Sequence, residues 1–132
     1  MNKKVGLWID HRKTVFVTIT GETDEITSLL SNMEKRVRYS GEAEEDSGED
    51  QRDKRYLDHL SKYYKEVISR VKNAQSILVM GPGEAKNQFV KQLQDEGYNG
   101  LIVGIETVDK MTDRQIAARV RHHFTIDSVT HA

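Results

Sequence analysis

Asp10-His11-Arg12-Lys13 puts a carboxylate, an imidazole and two cations into one short polar stretch. A carboxylate beside a histidine is the raw material of acid–base chemistry, and the two cations suit a phosphate. Asp10 and His11 make no catalytic triad without a nucleophile placed by geometry, and the competing reading is a solvated turn whose Asp10 accepts backbone hydrogen bonds. A two-metal nuclease would need further carboxylates converging on Asp10. Met80 and Gly81 supply none, and the helical segment before them offers Asp53, Asp58 and Glu66.

Two other stretches carry charge in a pattern worth weighing. Gly81-Pro82-Gly83-Glu84-Ala85-Lys86 follows an apolar run and opens a helical one, a position where unpaired amides attract anions. It lacks the Gly-Lys-Ser/Thr ending of a P-loop, and Lys86 stands where a dinucleotide fingerprint has its third glycine. Glu84 would compete for the same amides, so a tight turn capped by its own side chain is the simpler expectation; Gly81, Gly83 and Lys86 are kept as candidate contacts to a partner's phosphate. The densest basic cluster is Arg114, Arg119 and Arg121 with His122, His123 and Lys110. On a helix it is either a solvated face or a contact for an RNA backbone. His122 and His123 are adjacent, point apart on a helix and so do not suggest a metal pair.

The elements that must position these residues follow from periodicity. Ile77-Leu78-Val79-Met80 is an unbroken apolar run, as expected of a strand covered on both faces. Gly81-Pro82-Gly83 stops it, and Ala85, Phe89, Val90 and Leu93 continue at helical spacing. Before it, Val5–Ile9 and Thr14–Ile19 read as strands joined at the Asp10–Lys13 tip, and Ile26–Leu30 as a third strand with a broken extension toward Val37 and Tyr39. Tyr56, Leu57, Leu60, Tyr64, Val67, Ile68 and Val71 mark a long amphipathic helix over about Gln51 to Asn73. Gly97 suits a helix C-cap, Leu101–Ile105 a buried fifth strand, and Thr112-x-x-Gln115 a capping box before Ile116, Ala117, Val120 and Phe124. The order β-β-β-α-β-α-β-α predicts an α/β, ribonuclease H-like mixed five-stranded sheet with helices on both faces, spanning residues 1–124 as one domain. Residues 41–53, dense in Glu and Asp, read as a mobile acidic loop, and 125–132 as a frayed tail.

Composition bounds the function. A chain of 132 residues is one ordinary domain. Twenty Lys and Arg against 21 Asp and Glu leave a net charge of −1, which disfavours a general polyanion binder but permits local basic patches. There is no cysteine, so disulfides, thiolate zinc sites and cysteine nucleophiles are excluded. Val5–Ile9 is shorter than the apolar region of a signal peptide, and no run reaches membrane-spanning length; a cytoplasmic location is expected.

Three stretches together, V-G-L-W-I-D-H-R-K-T-V-F-V from Val5, I-L-V-M-G-P-G-E-A-K from Ile77 and G-I-E-T-V-D-K-M-T-D-R-Q-I-A-A from Gly104, resemble a small bacterial family of stand-alone domains labelled translational machinery proteins. That family is similar to the central domain of eukaryotic and archaeal peptide-release factors and of Pelota. The resemblance implies a ribonuclease H-like fold and a role close to the ribosome or tRNA. Release factors carry a Gly-Gly-Gln tripeptide between the third strand and the long helix; here that place falls to Gly41–Asp53, where Gln51 follows Glu49 and Asp50 instead of paired glycines. Peptide release is therefore not implied. Pelota also lacks the tripeptide and acts with additional domains. The leading expectation is a non-catalytic module that binds ribosome or RNA through Asp10, His11, Arg12, Lys13, Gly81, Gly83, Lys86, Arg114, Arg119 and Arg121, without cofactor or metal. The alternatives are an adaptor for another protein and a hydrolase using Asp10 and His11.

Overall fold

The computed structural model describes residues 3–21, 23–32 and 48–130, the side chains of 48–53 and 126–130 excepted. The chain runs β1 (Lys4–Ile9), β2 (Lys13–Thr20), β3 (Thr23–Leu30), α1 (Gly48–Val71), β4 (Ser76–Gly81), α2 (Ala85–Asp95), β5 (Leu101–Thr107) and α3 (Asp113–Thr130). The strands form one sheet in the order β3-β2-β1-β4-β5. β2 is antiparallel to both its neighbours, whereas β1, β4 and β5 run parallel. This is the ribonuclease H-like arrangement that the element order predicts.

Alternation along the central strands decides what each face holds. Val5, Leu7 and Ile9 of β1 and Ile77 and Val79 of β4 face α1 and α2, meeting Tyr64, Val67, Val71, Phe89 and Leu93. Trp8, Leu78 and Met80 point the other way, joining Val15 and Val17 of β2 against Ile116, Val120 and Phe124 of α3. A strand loaded on both faces has no room for polar residues, hence the unbroken apolar run at 77–80. Two glycines mark the closest approaches. A Cβ on Gly6 would lie 2.2 Å from Val120 Cγ2, and one on Gly81 would lie 2.3 Å from the Ile9 carbonyl oxygen.

The helix ends behave as their sequences suggest. Thr112 Oγ1 accepts from the Gln115 amide at 3.1 Å while Gln115 Oε1 accepts from the Thr112 amide at 2.9 Å, a reciprocal capping box. At the end of α2, Gly97 takes φ 85°. Its amide bonds to Gln94 O at 3.0 Å and that of Tyr98 to Leu93 O at 3.2 Å, the two bonds of a Schellman motif.

Two boundaries differ from expectation. α1 begins at Gly48, so 48–53 belongs to the helix and not to a loop. Gly41–Ser47, Val37 and Tyr39 lie outside the described residues. α3 continues to Thr130 where a frayed tail is expected from Thr125, since no glycine or proline follows Gly104 to break it.

Alanine at Gly81 forces a methyl into backbone, whereas at Gly6 it meets a side chain that must carry α3 outward. Both substitutions are expected to cost about 1–3 kcal/mol, with Gly81→Ala the larger. Urea unfolding checks this, and equal or negligible shifts would show that the β1–β4 approach is not tight.

Candidate functional site

Parallel pairing of β1 with β4, with Trp8 opposite Met80, ends the two strands side by side. The hairpin tip Asp10–Lys13 and the turn Gly81–Gly83 therefore share the carboxyl edge of the sheet. The tip is held by its own aspartate. Asp10 Oδ1 accepts from the amides of Arg12 and Lys13, both at 2.8 Å, and the Asp10 amide bonds to Lys13 O at 3.0 Å. The carboxylate thus serves the turn. Ser31 continues the brace, its hydroxyl donating to His11 O at 2.7 Å.

Beneath the tip lies a polar and aromatic network that ties it to both helices of this face. Tyr63 of α1 donates its hydroxyl proton to Asp10 O at 3.1 Å. A phenol has one proton to give, so at the 2.6 Å contact with Thr14 the donor is the threonine. Gln88 Oε1 of α2 accepts from Tyr64 at 2.7 Å and faces His11 Nε2 at 3.0 Å; a carbonyl oxygen only accepts, which puts the imidazole proton on Nε2. Tyr56 meets the His11 ring edge-on at 6.4 Å between centroids. Burial is the main cause that pushes the Tyr63 and Tyr64 hydroxyls well above the ordinary phenol value. For Tyr63 the Thr14 bond opposes this and the Asp10 charge adds to it; for Tyr64 the neighbouring Tyr63 and Tyr56 add to it.

The turn after β4 departs from expectation at two residues. Glu84 occupies the N-cap position of α2 but its side chain makes no capping bond. Lys86 is not an outward contact: it is 6% exposed, and its Nζ donates to Gly83 O at 2.6 Å. An ammonium in the first helical turn opposes the dipole, and folding it onto a carbonyl offsets that repulsion. Gly81 is buried against β1 and Gly83 is open to solvent.

The basic residues of α3 do not form one face toward this edge. The helix starts beyond the carboxyl end of β5 and runs back across the sheet, so Arg114 lies at the carboxyl edge and Arg121 at the opposite one. Arg114, Lys110 and Arg12 are exposed. Arg119 bonds Glu106 at 2.9 Å and Arg121 pairs with Asp24, the two clamping α3 to the outermost strands β5 and β3. Lys13 turns its ammonium over the Trp8 ring at 5.7 Å, and Trp8 Nε1 donates to Asp109 O at 3.2 Å, holding the segment before α3 against β1. His122 and His123 both line an open groove of about 650 Å³ with Glu106, Met111, Gln115, Ala118 and Arg119. Among the described residues no three His, Cys, Asp or Glu side chains gather to hold a metal ion.

The network residues Thr14, Tyr63 and Gln88 escape a reading of charge and motif. The signal that finds them is the doublet Tyr63-Tyr64 within an otherwise aliphatic stripe, since buried phenols need partners for their hydroxyls.

No protein-family model matches the chain, and no curated protein does. Solved structures match along most of it. The Pelota protein of Thermoplasma acidophilum superposes with TM-score 0.52 at 15% identity over 85% of this chain and 29% of its own. The archaeal translation termination factor aRF1 gives 0.54 at 13% over 98% of this chain and 41% of its own. Pelota of Archaeoglobus fulgidus gives 0.50 at 16% over 98% and 37%. The likeness is one of fold. The chain spans less than half the length of each of these proteins.

Both network tyrosines stay neutral in the fold to a pH at which free phenols ionise. Their contribution is complete below about pH 10 and falls as pH rises above it, because the unfolded chain releases those protons first. Thermal melts from pH 7 upward should lose stability beyond about pH 10. Tyr63→Phe/Tyr64→Phe should flatten that alkaline limb, and an unchanged limb would place the titrating groups elsewhere.

Proposed function

We propose that this chain is a non-catalytic, translation-associated module that contacts ribosomal or transfer RNA with the carboxyl edge of its sheet. The observation that carries this reading is the match of nearly the whole chain to one part of a translation termination factor and of Pelota. The edge itself supports it. Arg12 is presented on a hairpin stiffened by Asp10 and anchored through Tyr63, and exposed Lys110 and Arg114 stand at the start of α3 on the same edge. Rigidly mounted cations of this kind position a phosphate backbone without reading bases. Arg119 and Arg121 are assigned instead to clamping α3, and Lys86 to the turn.

The hydrolase alternative draws little from the geometry. His11 Nε2 faces Gln88, and one Asp10 oxygen already holds two amides. The chain also has no Gly-Gly-Gln anywhere, so the module is assigned binding and not peptide release.

Sucrose-gradient sedimentation at increasing salt tests the reading. The protein is expected to travel with ribosomal particles at low salt and to be released as salt rises. Arg12→Glu and Arg114→Glu should each lower the slope of log affinity against log salt by about one, while Arg121→Gln leaves it unchanged. Protein that remains at the top of the gradient at low salt would overturn the proposal.

A further inference from the structure

The two edges of the sheet are built differently. On β5, Ile102 pairs with Ile77 and Gly104 with Leu78, so Val103 is an extra residue; a bulge of this kind spoils an edge for further pairing. β3 has no such protection. It pairs with β2 in unbroken register from Thr23 to Leu30 and contains no proline, glycine or lysine.

Which backbone groups β3 leaves open among the described residues follows from one hydrogen bond. The Ser31 amide bonds to Arg12 O at 2.8 Å, making Arg12 and Ser31 a hydrogen-bonded pair. Such pairs alternate along an antiparallel ladder, so Leu29, Thr27 and Glu25 bond to β2, while Leu30, Ser28, Ile26 and Asp24 aim their N–H and C=O groups outward. In keeping with this, the Ser28 carbonyl is reached from α1 by Arg70 Nη1, at 3.5 Å; its second lone pair is available to another donor. The outward residues also share the face that carries Val15 and Val17. Among them, Ile26 is 44% and Leu30 62% exposed.

We infer that β3 is a homodimerisation edge, pairing antiparallel with β3 of a second copy of this chain about a two-fold axis at Ser28. That register is singled out by the side chains. Ile26 and Leu30 stand equally far on either side of Ser28, so the axis sets each Ile26 opposite Leu30 of the second copy and covers both. Ile26, Ser28 and Leu30 then each meet an outward-facing residue of the second copy, and each such pair exchanges two hydrogen bonds. The carboxylates are not set against each other: Asp24 and Glu25 lie past the end of the second copy's strand at Leu30, and Asp24 is already paired with Arg121. An axis at Ile26 would leave Leu30 uncovered and bring the two Glu25 side chains toward each other. A two-fold edge pairing is self-complementary and closes, giving a continuous sheet across two chains and not a fibre. This inference is independent of the RNA reading.

Sedimentation equilibrium over a concentration series tests it, with amide exchange read in the same samples. The weight-average mass is expected to climb toward that of two chains, with the amides of Ile26, Ser28 and Leu30 gaining protection as it does. Ile26→Lys should hold the protein at the mass of one chain, with a melt that no longer depends on concentration and matches that of the dilute parent protein. Ser28→Pro, which removes an outward N–H that β2 does not use, should do the same. A single-chain mass at every concentration, or a dimer that persists in Ile26→Lys, would overturn the assignment.

Discussion

The parallel contact between β1 and β4 is the constraint on which the rest of the molecule depends. Both strands are covered on both faces, so their side chains are committed alternately to α1 and α2 on one side and to α3 on the other. Parallel neighbours cannot be joined by a hairpin, and α1 is the crossover that brings the chain back. With Gly81 against the Ile9 carbonyl there is no freedom to slide, and Asp10 and Gly81 must end at the same edge. The polar stretches meet there because the core beneath leaves them no other place.

What lies under that edge is costly unless complete. A buried hydroxyl without a partner costs about 1–3 kcal/mol, and this region buries Thr14, Tyr63 and Tyr64 together. Each is satisfied: threonine gives to tyrosine, tyrosine to the Asp10 carbonyl, and the second tyrosine shares Gln88 with His11. A satisfied network fixes geometry more than it adds stability. Its consequence is a hairpin tip tied to α1 and α2, so that the Arg12 backbone is fixed relative to the body of the domain.

The sequence is most informative where local chemistry decides and least where tertiary contact does. The buried run at 77–80, the Thr112 and Gln115 box and the left-handed Gly97 follow from residue type and spacing alone, and with them the fold. Lys86 looks like a cation for a phosphate because nothing local says that it will turn back to Gly83. Arg119 and Arg121 look like one basic face because their partners, Glu106 and Asp24, come from the two outermost strands, distant in sequence. For Asp10 the sequence offers both a turn acceptor and a binding contact, and the bonds from the Arg12 and Lys13 amides show the first. The tyrosines that anchor its turn are visible only as a helical stripe until the hairpin is laid across them.

We propose the carboxyl edge as the surface this domain offers to RNA. Amide hydrogen exchange of the protein bound to ribosomes addresses it directly. Added protection is expected at 10–13, 83–84 and 110–115, with the Gly21 turn at the other end of the sheet unchanged. Protection confined to that opposite end, or to the outer flank of α1, would contradict it.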